Sequence, residues 1–316
     1  MTRFVIGRVA GGLLTLLVSS MVVFAMVRFI PGDPITARLA EGGLSPEAQA
    51  ALRKMYGFDQ PLVEQYWSWL SAIVQGNFGS SLTTHTPVIE DLLTRIPRTI
   101  YLALAGIFSA LVLAVPTAII TARYPGGRLD SLVTTVSGIF VAVPNFVIGI
   151  ILIIVFAVQL KFFPVAGYIE PSADPLGFAV SIVLPALTVG LPASAVIVRV
   201  LRSSLLDELR RDYVRTAEAR GASRLRAITR HTLRNASLPT VTIVGLQIGQ
   251  LLGGAIVVET LFSYPGVGLL LLNSITQRDY PVVQACLLFL AFAFVVVNLA
   301  TDVLYAALNP KLKVGR

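Results

Sequence analysis

The chain has little charge and few groups suited to chemistry. Charged residues make up 13% of its 316 residues, about half the roughly 25% of a typical soluble domain. The only cysteine, Cys286, sits in an apolar run, which excludes an internal disulfide. His85 and His231 are the only histidines and lack partners at ligand spacing, so no structural metal site is expected. No G-x-x-x-x-G-K-[ST] occurs, and none of the four lysines follows a glycine, so there is no P-loop for a nucleotide. H-E-x-x-H and G-x-S-x-G are missing, and the apolar stretches hold no acid–base cluster suited to a proton relay. The power source of this protein is therefore expected to lie outside it.

Apolar sequence is what the chain has in abundance: hydrophobic residues make up 55%, and mean hydropathy is +0.78. Six stretches, at about 9–30, 99–122, 132–160, 178–201, 239–262 and 281–308, reach the roughly 20 residues needed to cross a bilayer. The net charge of +8 is concentrated between these stretches, which points to lipid headgroups and topology rather than nucleic acid. The first run is too long for a signal peptide, and no small-x-small site precedes Pro31-Gly32-Asp33-Pro34, so a retained span is expected. With the N-terminus inside, Arg3, Arg8, Arg123, Arg128, an arginine-rich loop, Lys311, Lys313 and Arg316 lie inside, and the short outer loops hold only Lys161 and Arg278. That asymmetry places both termini in the cytoplasm. The expected fold is all-α and polytopic: six transmembrane helices in a single domain over 1–316, with an outer helical insertion at 31–98 and a cytoplasmic loop at 202–238.

The cytoplasmic loop is the most informative segment. Residues 201–237 carry nine arginines (Arg202, Arg210, Arg211, Arg215, Arg220, Arg224, Arg226, Arg230, Arg234) against four acids, a density that cannot sit in hydrocarbon. Its pattern of helix, Gly221 and helix suggests a docking surface for a soluble partner. In the outer insertion, Ser45-Pro46 is expected to start a short helix to about Tyr56. A second helix is expected from Pro61 to Gln75, stopping at Gly76 and carrying Leu62, Tyr66, Trp69, Leu70 and Ile73 on one face with Trp67 near its edge. It either packs on the spans or lies at the membrane interface with both tryptophans at headgroup level.

In the fifth span, Gly245, Gly249 and Gly253 form a small-residue stripe suited to close helix contact. Gln247, Gln250 and Gly254 fall on another face. The two amides either line a hydrated path or bond between helices, and Asn145 and Asn298 share that ambiguity. Asp302, near the inner end, is expected to pair with an arginine or water. Pro185 and Pro192 are expected to kink the fourth span. Glu259 and the turn Tyr264-Pro265-Gly266 fall where the fifth span meets the outer surface, as an outer gate and binding-protein dock or as a capped helix end.

Taken together, the order and spacing of short motifs resemble the transmembrane permease subunit of a dipeptide/oligopeptide/nickel-type ABC importer, over nearly the whole length. The pieces are R-F-I-P-G-D-P (28–34), G-N-F-G-S-S (76–81), R-I-P-R-T (95–99), V-P-N-F (143–146), F-F-P-V-A-G-Y (162–168), D-Y-V-R-T-A-E-A-R-G (212–221), R-H-T-L-R-N-A (230–236), V-E-T-L-F-S-Y-P-G-V-G (258–268) and R-D-Y-P (278–281). The 212–221 piece is similar to the family's coupling signature, E-A-A followed three residues later by glycine. Here the triplet is Arg215-Thr216-Ala217, without the glutamate, as suits the peptide-type branch. Close to its end the chain also reads Asn309-Pro310-Lys311 where relatives often have an aspartate before the proline.

The resemblance implies the type I ABC importer permease fold in a bacterial or archaeal cell membrane, with Arg215, Thr216, Ala217, Glu218, Arg220 and Gly221 coupling to an ATPase. It also implies a second homologous permease subunit, two ABC ATPase subunits that hold ATP and Mg, and an extracytoplasmic solute-binding protein. This chain itself would hold no cofactor and contact no nucleic acid. Small peptides are the expected cargo; nickel chelates, oligosaccharides and other small solutes fit the same pattern. A secondary transporter would show internal pseudo-symmetry and mid-membrane carboxylates, and neither is found. A membrane scaffold without a transport path is the other alternative.

Overall fold

The computed structural model describes residues 2–29 and 60–308. Among them regular structure is helical, with one isolated β-bridge between Ser80 and Pro87. The helices are α1 (Thr2–Phe29), α2 (Leu62–Val74), α3 (Val88–Arg123), α4 (Arg128–Ala142), α5 (Asn145–Leu152, widening into π turns to Gln159) and α6 (Pro175–Leu209). Then come α7 (Asp212–Ala219), α8 (Leu233–Leu261, entered through helical turns from Arg224), α9 (Val267–Thr276) and α10 (Tyr280–Leu308). Helices α1, α3, α6, α8 and α10 are each long and apolar enough to cross a membrane, and α4 with α5 makes a sixth, broken span. The chain is an all-α, multi-pass membrane protein.

The third run, 132–160, is not one helix. Its halves meet at a bend of 108°, at Val143 and Pro144. Proline lacks an N–H and steers its predecessor toward extended backbone, and Val143 is extended, at φ −84°, ψ 130°. Five other prolines (Pro97, Pro116, Pro185, Pro192, Pro239) are absorbed inside helices. Pro185 and Pro192, the two expected kink positions, both lie inside α6, which continues past them as one helix.

Two boundaries also move. The second span begins at Val88, behind Pro87 and with Glu90 and Asp91 in its first turn, where acids favour the positive end of the helix dipole. Residues 88–98 are therefore the first turns of the helix that carries the second span. The 202–238 segment has the expected pattern of helix, Gly221 and helix: α6 continues to Leu209, α7 follows, and 210–211 and 220–223 separate helical turns there. At its other end α6 is capped by Asp174, which accepts the Gly177 N–H at 2.9 Å, with Pro175 in the first turn.

One close helix contact is one the sequence did not single out. A Cβ on Gly190 of α6 would stand 2.1 Å from Ser109 Oγ and 2.8 Å from the Gly106 carbonyl oxygen of α3. Small residues let the two backbones approach, so that dispersion can act without a hydrophobic driving force. In the α8 stripe, a Cβ on Gly245 would meet Thr301 at 2.1 Å and one on Gly249 would meet Phe294 at 2.8 Å, both on α10. Gly253 faces open space, so the stripe serves two turns rather than three.

Helix α1 packs on α10, where Arg8 Nε lies 3.2 Å from Asp302 Oδ2, the arginine pairing expected for Asp302. Helix α2 packs on α1. The Tyr66 hydroxyl and Ser20 Oγ are 2.8 Å apart, and the Phe24 ring lies 5.5 Å from those of both Tyr66 and Trp69. Trp69 thus meets α1, whereas Trp67 points outward and is 57% exposed. The expected helix from Ser45 to Tyr56, the 30–34 part of the first motif and Asn309–Lys311 lie outside the described residues.

Candidate functional site

Motifs scattered along the sequence meet at the two ends of the bundle. At the basic end, α7 lies across the ends of the long helices. Val214 is fully buried there, in one apolar cluster with Leu201, Leu205 and Leu209 of α6, Ala118 and Ala122 of α3, and Ala227 and Ile228. The Tyr213 hydroxyl donates to Glu208 Oε2 at 2.7 Å and accepts from Asn235 Nδ2 at 3.2 Å. That contact joins the 212–221 motif to the 230–236 motif.

Arg215, Thr216, Arg220 and Gly221 are exposed, and Ala217 and Glu218 are half-buried. Glu218 is held by Arg224 Nη1 at 3.2 Å. Gly221 has φ +90°. Its N–H donates to the Glu218 carbonyl and the Ala222 N–H to the Ala217 carbonyl, at 2.9 and 3.1 Å. These two bonds form the Schellman pattern, which closes a helix on a left-handed residue. Nearby, Arg202 donates to both carboxylate oxygens of Asp130, each at 2.6 Å. This bidentate pair clamps the start of α4 to α6; 72 residues separate its members, so spacing gave no sign of it.

The far end is organised by buried polar groups. Glu259 is 0% exposed. Its carboxyl accepts the Thr99 hydroxyl at 2.7 Å and the Leu269 N–H at 2.9 Å, and Thr99 Oγ1 accepts the Val267 N–H at 2.8 Å. The first turn of α9, whose N–H groups have no partners within the helix, is thus closed by side chains from α3 and α8. A Cβ on Gly266 would stand 2.2 Å from the Glu259 carboxyl, so only glycine allows the turn to come this near.

Tyr264 is also fully buried and donates to the Arg98 carbonyl at 2.8 Å. Its ring meets Tyr168 edge-on at 5.1 Å, and the Arg98 guanidinium lies 4.9 Å from the Tyr168 ring centre. Burial, then the neighbouring Tyr168 and Glu259, push the Tyr264 hydroxyl well above the ordinary phenol range. Burial, reinforced by Glu170, also raises Tyr168. A third polar knot joins Asp279 to the Ser81 hydroxyl, the Leu82 N–H at 3.1 Å and the Thr83 hydroxyl at 2.9 Å. The motifs at 76–81, 95–99, 162–168, 258–268 and 278–281 therefore make one end of the molecule. Glu259 and Tyr264 hold that end together and present no surface to a docking protein; Pro265 is half-buried and Gly266 buried.

The four amides do not form one cluster. Gln247 Nε2 donates to Gln250 Oε1 at 3.1 Å along the same helix, and Gln250 is exposed. Asn145 opens α5, half-buried behind Pro144. Asn298 lines a separate groove with Arg8, Thr15, Thr242 and Asp302.

The sequence matches two family models: "Binding-protein-dependent transport system inner membrane component" over residues 114–314, and the N-terminal model of such membrane components over 1–103. It is 41% identical to the glutathione transport system permease protein GsiC of Escherichia coli K12 over 317 aligned residues, which cover 99% of each chain. The same protein of Shigella dysenteriae serotype 1 gives the same figures, and that of Shigella boydii serotype 4 is 40% identical over 99% of each chain. This chain belongs to the family of binding-protein-dependent transport system inner membrane components.

Proposed function

We propose that this chain forms half of the translocation path of an ATP-driven importer of small peptides. The observation that carries this reading is α7: a short helix outside the spans, anchored by buried Val214 and ended by the Gly221 turn, with an exposed face toward solvent. Close-packed interiors transmit displacement. A push on α7 would therefore move the ends of α3, α6 and α8 as one block, a rigid-body change.

Hydrolysis of ATP, with Mg, belongs to two separate ATPase subunits, one of which grips α7. A second homologous permease completes the path, and an extracytoplasmic solute-binding protein delivers cargo to the end built around Glu259. The glutathione transporters among the relatives support a short peptide as that cargo. The basic end and both termini face the cytoplasm of a prokaryotic cell. A cysteine at position 224, in a Cys286→Ala background, tests the orientation: an impermeant thiol reagent should label it in inside-out vesicles and not in intact cells. Labelling from outside intact cells would reverse the assignment.

Gln247 and Gln250 face the path on this reading, since they pair with each other on an exposed face rather than with a neighbouring helix. Gln250→Leu should lower uptake and leave the complex assembled. Gly249→Leu should block assembly, because its side chain would enter the Phe294 ring, whereas Gly253→Leu meets nothing within 4 Å and should assemble. Co-purification of the ATPase and uptake of labelled peptide separate these outcomes. Equal assembly defects at 249 and 250 would place Gln250 between helices.

A further inference from the structure

Beside α7 lies a concavity of about 430 Å³ whose lining includes Tyr213, Thr216, Ala217, Arg220, Arg226 and His231. Arg226 and His231 come from the segment after the Gly221 turn, so that turn folds two stretches of chain around one space. No acidic side chain lines it. Two nearby acids are already engaged, Glu218 with Arg224 at 3.2 Å and Glu208 with the Tyr213 hydroxyl at 2.7 Å. Among the described residues no carboxylate lies within 4.0 Å of the Arg220 or Arg226 guanidinium. Two guanidiniums are thus left facing an open, partly apolar hollow.

We propose that this concavity is a socket for an acidic side chain of the ATPase subunit, an inference that rests on α7 being the coupling element. Charge complementarity selects the occupant: a guanidinium pair matches a carboxylate in both charge and fork geometry, while Ala217 and the Tyr213 ring suit the stem that carries it. Position argues against a lipid phosphate. Helix α6 has 35 residues, about 52 Å at ~1.5 Å per residue, against a hydrocarbon core of ~30 Å. With its capped end near one membrane surface, its other end carries α7 past the headgroups. The coupling contact is then opposite in sign to one made by a glutamate in the triplet, since this chain presents Arg215-Thr216-Ala217 there.

The test uses the full complex of both permeases, ATPase and binding protein, with Arg220→Glu/Arg226→Glu in this chain. Both residues are exposed, so folding should be spared, and Arg220→Gln/Arg226→Gln serves as the milder variant. Association of the ATPase should weaken by about tenfold or more in the double Glu variant and less in the Gln variant. In the wild type it should weaken as salt rises toward about 500 mM. Lysine at one surface acid of the ATPase should restore the double Glu variant. Wild-type association and stimulation in that variant, while Gly221→Pro uncouples, would overturn the socket and leave α7 as the coupling element. If Gly221→Pro also behaves as wild type, the coupling reading itself fails. A defect confined to vesicles containing phosphatidylglycerol, and absent in pure phosphatidylcholine, would assign the site to lipid and overturn the proposal.

Discussion

Replacing Glu259 with leucine is expected to destroy transport and lower the thermal stability of the protein. The carboxyl is fully buried and holds the Thr99 hydroxyl and the Leu269 N–H. Leucine fills similar space and accepts nothing, so both donors are left unpaired, at about 1–3 kcal/mol each. The first turn of α9 also loses the acceptor that closes it. Together these losses are a large share of the ~5–15 kcal/mol that keeps a typical domain folded. Glu259→Gln should fall between, since it keeps one acceptor oxygen and turns a donor toward the other partner. Thr99→Val should resemble the leucine variant, because Thr99 also bonds the Val267 N–H. Thermal unfolding in detergent, beside uptake in cells, measures both effects; a leucine variant that unfolds at the wild-type temperature would show that the buried network does not hold this end together.

The second large effect is expected at Gly221, where proline should abolish coupling. Proline fixes φ near −65° and has no N–H, whereas the site needs φ +90° and a bond to the Glu218 carbonyl. The turn cannot form, and α7 and the 224–232 turns lose their relative placement. Alanine has room, since nothing lies within 4 Å of its Cβ. It still meets the left-handed backbone penalty of about 1–2 kcal/mol, so it should couple weakly rather than normally. The readout is hydrolysis by the reconstituted complex with and without loaded binding protein: stimulation should be absent in Gly221→Pro and reduced in Gly221→Ala. Full stimulation in the proline variant would move the docking site to the 123–130 loop.

The spans were legible because a bilayer imposes a length on apolar sequence, and five of the six runs are single helices. The sixth broke at Pro144, although five other prolines lie inside helices; what differs is that Val143 takes up extended backbone, which composition does not reveal. Gly221 was legible as a break, but its sign of φ was not, since a glycine accepts either. Contacts made across the chain were invisible: Asp130 with Arg202, Gly190 against Gly106, Asp279 with Ser81 and Glu259 with Thr99. Each joins residues far apart in sequence, and no period within one helix encodes them. Four of the motifs that gave the resemblance are the two halves of such contacts, 76–81 with 278–281 and 95–99 with 258–268. At the far end, Glu259 and Tyr264 were placed near the surface by their position at the close of a span. Glu259 is buried where α9 packs on α8 and bonds its carboxyl, and Tyr264 where it meets Tyr168 and the Arg98 carbonyl of α3.

On the proposed function, this chain conducts a small peptide only when separate ATPase subunits drive it. Proteoliposomes holding the chain, its homologous partner and the ATPase subunits, supplied with binding protein loaded with labelled glutathione, measure that directly. Uptake should require ATP, Mg and the ATPase subunits together, and should vanish when any one is withheld. Uptake by the two membrane subunits alone, down a gradient and without ATP, would contradict the account.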